Sequence, residues 1–250
     1  MFIPLRDDNL IRRLSVATIG IIALCVVVFL YQETLPERGA EAFALGYGMI
    51  PSVLWGTDQL NPGIPTVAPW LTIFTSMFMH GGFLHIAGNM VYLWAFGRAM
   101  EEALGPVRFV LFYLVCGVAA AMTQALVEAD AAVPMIGASG AISGVLGGYL
   151  LLFPRARVQV LFVWGLVTML NLPAKALLLW WIAIQLISIF LASSEEGGVA
   201  WYAHIGGFAA GMVLIHLFRP SRPPPAPIPP TSTWYRPPGG PWGRRRGPWG

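Results

Sequence analysis

Charged residues divide this chain into long apolar stretches. Runs free of Asp, Glu, Lys and Arg cover residues 14–32, 59–97, 109–127, 131–154, 176–194 and 197–218. A bilayer core is crossed by about 20 consecutive apolar residues in helical form, so five of these runs match one crossing each. The run 59–97 is longer than a single crossing needs. Its second half, "FLHIAGNMVYLWAFG" (83–97), predicts the helix and its first half a loop. Crossings are therefore expected at about 14–32, 83–100, 108–127, 138–154, 176–194 and 201–218. The first run lies too far from the terminus, and is too continuous with the chain after it, to read as a cleaved signal peptide.

Composition agrees with this pattern. The chain is 56% hydrophobic and 11% charged, with a mean hydropathy of +0.67, which excludes an ordinary soluble domain. The fold class expected is an all-α polytopic membrane protein. Charge placement gives an orientation. Arg6, Arg12 and Arg13 precede the first crossing, Arg98 and Arg108 bracket the turn after the second, Arg155 and Arg157 follow the fourth, and Arg219 follows the sixth. The alternate loops are acidic, with Glu33, Glu37, Glu41 and Asp58, then Glu128 and Asp130, then Glu195 and Glu196; only Arg38 breaks the pattern. The positive-inside rule then puts both termini in the cytoplasm, which needs an even number of crossings. The apolar segment 158–174 is flanked by Arg157 and Lys175 and interrupted by Asn171 and Pro173. It is read as an interfacial or dipping segment, leaving six crossings. Residues 219–250 are rich in Pro, Gly and Arg, a composition that favours extended, disordered chain. Cys25 and Cys116 lie inside crossings one and three and are read as apolar filler.

Apart from Arg98 and Arg108 at their ends, the six crossings contain no Asp, Glu, Lys or Arg, which argues against a proton-coupled transporter or cation channel. What remains polar is His85 and Asn89 on crossing two, Ser139 and Ser143 on four, Gln185 and Ser188 on five, and His204 on six. Counting depth brings three of them together. His85 lies 13 residues before Arg98, Ser139 lies 16 before Arg155, and His204 lies 15 before Arg219. At 1.5 Å per residue these are roughly 20, 24 and 22 Å from the arginine boundary, on one level roughly 6–10 Å below the outer face. Gly140, Gly144 and Gly148, and Gly207 with Gly211, have the spacing of close helix contact. Packing alone is one account of Ser139, but it too predicts that crossings four and six meet, bringing Ser139 to His204. His80 at the loop–helix junction is read as structural and His216 as interfacial. Trp180 and Trp181 are read as packing. Gln185 and Ser188 either line a route to the site or bond a neighbouring helix.

A serine hydroxyl becomes a useful nucleophile when a base takes its proton, and His204 is the base at the same depth. With no carboxylate in the crossings, the expected unit is a Ser–His dyad. Its tetrahedral oxyanion needs donors. The backbone N–H of Ser139 at the head of a helix is one. His85 and Asn89, spaced i and i+4, share a helix face and supply others. Glycines beside Ser139 let the backbone approach a substrate closely.

The motifs "MHGGFLHIAGNM" (79–90), "GASGAISG" (137–144) and "AHIGGFAAG" (203–211) resemble those of the rhomboid family of intramembrane serine proteases, in the right order over about residues 10–218. The resemblance implies the six-helix bundle of the bacterial form, with a short central helix four starting at the nucleophile. It implies Ser139 as nucleophile, His204 as general base, and His85 and Asn89 with the Ser139 N–H as oxyanion hole. Gly137 would shape the turn before the nucleophile, with Gly140, Gly207 and His80 structural near the site. It also implies transmembrane protein substrates cut at small residues where a helix unwinds, entry between crossings two and five, and no metal or cofactor. A multi-pass protein of the bacterial cell membrane is expected, with a cytoplasmic N-terminus (1–13), a membrane protease domain (14–218) and a cytoplasmic tail (219–250). Two positions depart from the family's pattern. Ser143 stands where members carry an aromatic against the histidine, so His204 must be oriented otherwise. Trp70 is followed by Leu71 where an arginine is frequent.

Other classes are weaker. A catalytically inactive relative that binds or escorts transmembrane segments has no need of both Ser139 and His204. A small-solute transporter lacks its intramembrane charges, and a zinc protease lacks H-E-x-x-H. Nothing in the chain points to nucleic acid.

Overall fold

The computed structural model describes residues 2–164, 166–191 and 200–218. The tail 219–250, the acidic pair Glu195 and Glu196 and the end of the fifth expected crossing lie outside the described residues. Among the described residues three helices are long and apolar enough to cross a membrane: α1 (Val16–Thr34), α7 (Pro106–Val127) and α9 (Ala174–Leu191). A helical run leads from α5 (Phe83–Tyr92) through a π turn at Leu93–Gly97 into α6 (Arg98–Leu104). The two remaining helices at the expected crossings, α8 (Ser139–Leu152) and α10 (Trp201–Leu214), have 14 residues each. The molecule is thus a polytopic helical bundle. Pro106 occupies the first turn of α7, where its missing N–H costs no helix bond.

The long segment between α1 and α5 is more structured than the expected loop. It holds three short helices, α2 (Glu37–Tyr47), α3 (Pro51–Trp55) and α4 (Pro69–Thr75). Its apolar positions explain this: Met49, Ile73 and Met77 are buried in a satellite core with Ala121 and Ala125 of α7. Met49 also pairs through its backbone with Met135, just ahead of α8.

At the centre stands α8, where every residue from Ala141 to Leu150 is buried. A helix buried on all sides needs small residues wherever a neighbour's backbone comes close. A Cβ on Gly207 would strike the Gly140 carbonyl, one on Gly211 the Gly144 carbonyl, and one on Gly147 the Phe208 carbonyl. The α8–α10 seam therefore uses Gly140, Gly144 and Gly147. Gly148, expected in this stripe, faces Phe112 and Met100 instead, because a fourth-residue step gradually leaves the seam of a straight helix.

The opposite end of the bundle, where the arginines gather, carries an element the all-α expectation does not contain. β1 (Phe2–Asp7) pairs antiparallel with β2 (Arg157–Trp164), and β2 with β3 (Leu166–Pro173), in a three-stranded sheet. The apolar segment 158–174 is thus largely a β-hairpin, rich in the β-branched and aromatic residues that suit strands. The residues ahead of the first crossing are bonded into the bundle through this sheet. Buried Glu101 completes this end: its carboxylate accepts the Ala17 and Thr18 N–H groups at 2.9 and 2.7 Å, at the open start of α1.

Candidate active site

Ser139 is the first residue of α8, and the chain reaches it through Gly137, whose φ of +130° favours glycine. The Gly137 N–H donates to the Ser76 carbonyl at 2.9 Å, tying this turn to the segment just before α5. A Cβ on Gly137 would lie 2.8 Å from His85 Nε2. The turn, the serine and the His85 ring are therefore close neighbours.

His204 comes from the first turn of α10. Its Nε2 lies 2.8 Å from Ser139 Oγ. The glycine seam makes that distance possible by letting two helix backbones touch. A second device steadies the turn. The buried Gln124 side chain of α7 accepts the Ala203 N–H at 3.1 Å and donates to Glu128 at 2.6 Å. The other face of His204 meets Gln185, whose Oε1 lies 2.7 Å from Nδ1. Trp181 and Trp201 flank the ring at centroid distances of 5.9 and 6.1 Å.

His85 and Asn89 lie one turn apart on α5 and line the same cavity as Ser139 and His204. The Gly81 N–H approaches His85 Nδ1 at 3.4 Å, so that nitrogen accepts and Nε2 carries the proton on the side of Gly137. Asn89 Nδ2 is buried and meets no acceptor among the described residues. The amide is a ready donor for an oxygen arriving in the cavity, which holds about 1200 Å³. As the first helical residue, Ser139 contributes an N–H with no acceptor inside its own helix.

His80 is 1% exposed, and its backbone N–H and carbonyl are both held by the Gln32 side chain of α1, at 3.1 and 3.2 Å. Ser143 donates to the Ser139 carbonyl at 2.6 Å within α8, and so does not orient His204. Gln185 both lines the cavity and bonds a neighbouring helix. Trp181, expected to be packing, also lines the cavity, whereas Trp180 is 55% exposed. Cys25 and Cys116 are buried and unbridged, and His216 is exposed. Among the described residues no three His, Cys, Asp or Glu side chains gather closely enough to hold a metal ion.

Gln124 is a site-supporting residue that sequence reasoning misses. Its signal is a lone amide in an apolar helix, but nothing in its spacing points to α10.

Residues 68–221 match the model of the Rhomboid domain. The chain is 32% identical over 212 residues to RHOMBOID-like protein 4 of Arabidopsis thaliana, covering 78% of this chain and 50% of that protein. It is 27% identical over 219 residues to the putative rhomboid protease YdcA of Bacillus subtilis (strain 168), covering 87% of this chain and 96% of the relative. An 81-residue stretch is 37% identical to the rhomboid protease GluP of the same bacterium, which is 15% of that protein. The chain spans about half the length of the Arabidopsis RHOMBOID-like proteins 4 and 5.

Proposed function

The chain belongs to the rhomboid family, and on that premise we propose that it is an intramembrane serine endopeptidase with Ser139 as nucleophile and His204 as general base. The 2.8 Å approach of His204 Nε2 to Ser139 Oγ, inside a cavity roomy enough for a peptide, is the observation that carries the reading. In the first half-reaction Ser139 Oγ attacks the scissile carbonyl carbon while its proton passes to His204 Nε2. The carbonyl oxygen becomes an oxyanion, which accepts hydrogen bonds from the Ser139 N–H, Asn89 Nδ2 and His85 Nε2. Collapse breaks the C–N bond, and the imidazolium gives its proton to the leaving amine. A water molecule then repeats the sequence on the acyl-enzyme, restoring Ser139 and releasing the carboxylate product.

The substrate class we assign is the transmembrane segment of another membrane protein, cut at small residues where its helix opens. Side chains of both α5 and α9 line the cavity, and we propose that the substrate enters between these two helices. We further assign six crossings with both termini in the cytoplasm, from the arginine distribution. A bacterial cell membrane is the proposed location, on the near full-length match to a bacterial relative. The test is cleavage of a single-span substrate by purified protein in detergent, with capture of Ser139 by a fluorophosphonate probe. Ser139→Ala and His204→Ala should each lower cleavage at least ~1000-fold while leaving the thermal melt in place. An unlabelled Ser139 in folded wild-type protein would favour a relative that binds transmembrane segments without cutting them.

A further inference from the structure

A histidine serves as base toward Ser139 only if its Nε2 is bare and its Nδ1 holds the proton. In many hydrolases a buried carboxylate at Nδ1 enforces this, and removing it strands the ring in the wrong tautomer. The crossings of this chain contain no carboxylate to do so. Gln185 stands in that place, with Oε1 at 2.7 Å from His204 Nδ1.

We propose that Gln185 is a positioning residue that holds His204 with its proton on Nδ1 and its bare Nε2 turned to Ser139. The proposal rests on the reading of Ser139 and His204 as nucleophile and base. An amide can face a ring nitrogen with either end, so its orientation matters. The Gln185 Nε2 group donates to the Trp181 carbonyl at 3.4 Å, one turn back on α9, and a carbonyl can only accept. That contact turns Oε1 toward His204. Oε1 cannot donate, so the shared proton belongs to Nδ1.

Packing agrees with the assignment. Gln185 is only 6% exposed, on a helix whose other buried residues are Ala174, Leu177 and Leu178, all nearer its start. Beyond Leu178, the single side chain that α9 buries among its described residues is the one that reaches His204. An apolar side chain would suffice if filling space were the task. A neutral acceptor does two things a carboxylate does and omits one: it sets the tautomer and the ring plane, but brings no negative charge to balance the imidazolium. Ser143 is committed to the Ser139 carbonyl, which leaves the His204 ring held by Gln185 at Nδ1 with Trp181 and Trp201 beside it.

The test uses the full chain in detergent with three readouts. Gln185→Leu keeps the side chain's approximate size and removes the acceptor; Gln185→Glu keeps an acceptor. Gln185→Leu should lower kcat and the rate of Ser139 labelling by about 100-fold with KM and the thermal melt near wild type. Gln185→Glu should recover most of the labelling lost in Gln185→Leu. Imidazole ¹⁵N spectra of wild-type protein at pH 8 should show His204 protonated at Nδ1, a signature that depends neither on substrate nor on a variant's folding. Wild-type kcat in Gln185→Leu, no advantage of Glu over Leu, or His204 protonated at Nε2 would each overturn the proposal. Failure of wild-type protein to label or cleave would instead sink the protease reading, and the wild-type spectrum would still decide Gln185.

Discussion

Gly137 shows how much one backbone position contributes to this site. With φ at +130° and His85 Nε2 2.8 Å from where a Cβ would stand, it is closed to any side chain on two separate grounds. Gly137→Ala should cost about 1–3 kcal/mol of stability, read as a lowered melting temperature, because alanine is strained in this conformation. The loss of Ser139 labelling should be larger than that destabilisation explains, since the added methyl displaces the His85 ring. Sequence alone groups Ser139, His204 and His85, because each is a polar residue on an apolar helix and depth can be counted from the nearest arginine; Asn89 joins them one turn along from His85. Which nitrogen of His204 meets which partner is not legible there. That depends on the rotation of α9 about its axis, and α9 is apolar over most of its surface, so its sequence gives rotation little to act on.

Among the elements, the α8–α10 seam positions the proposed nucleophile and base. Gly207 lies against the Gly140 carbonyl and Gly211 against the Gly144 carbonyl, so the helices meet at the separation their backbones allow. Gly207→Val should force them apart, costing about 1–3 kcal/mol or more and abolishing fluorophosphonate capture of Ser139. Labelling at the wild-type rate in Gly207→Val would show that the seam does not set the Ser139–His204 distance. The seam is readable from the fourth-residue spacing of glycines, although the participation of Gly147 in place of Gly148 is not. Neither are α3 and α4, each too short to leave a periodic signal. Flanking charge and an internal proline suffice to exclude the segment 158–174 from the crossings. Its strand pairing with residues 2–7, by contrast, is a long-range contact that no local pattern announces.

For the molecule as a whole, the sheet end and the serine end are joined through α8, whose Tyr149 donates to the Asp7 carboxylate at 2.8 Å. Burial raises the Asp7 carboxyl above its usual 3.8, with bonds from Asn9 and Tyr149 and the charge of Arg98 acting the other way. The folded state therefore favours the protonated acid. Its contribution to stability is complete below 3.8, and declines as pH rises through the elevated folded value. Asp7→Asn retains an acceptor for Tyr149 and cannot ionise, so it should flatten the dependence of the melting temperature on pH from about 4 upward; an unchanged slope would assign that dependence elsewhere. The pairing of Phe2 with Phe162 carries a consequence for biogenesis. A ribosome emits the first strand long before its mate exists, so the leader must wait, unpaired, while most of the helices are threaded into lipid. Closing the sheet then waits until most of the bundle is made, and a protease supplied during synthesis should clip residues 2–7 from nascent chains that it leaves intact once residues 157–164 have left the ribosome.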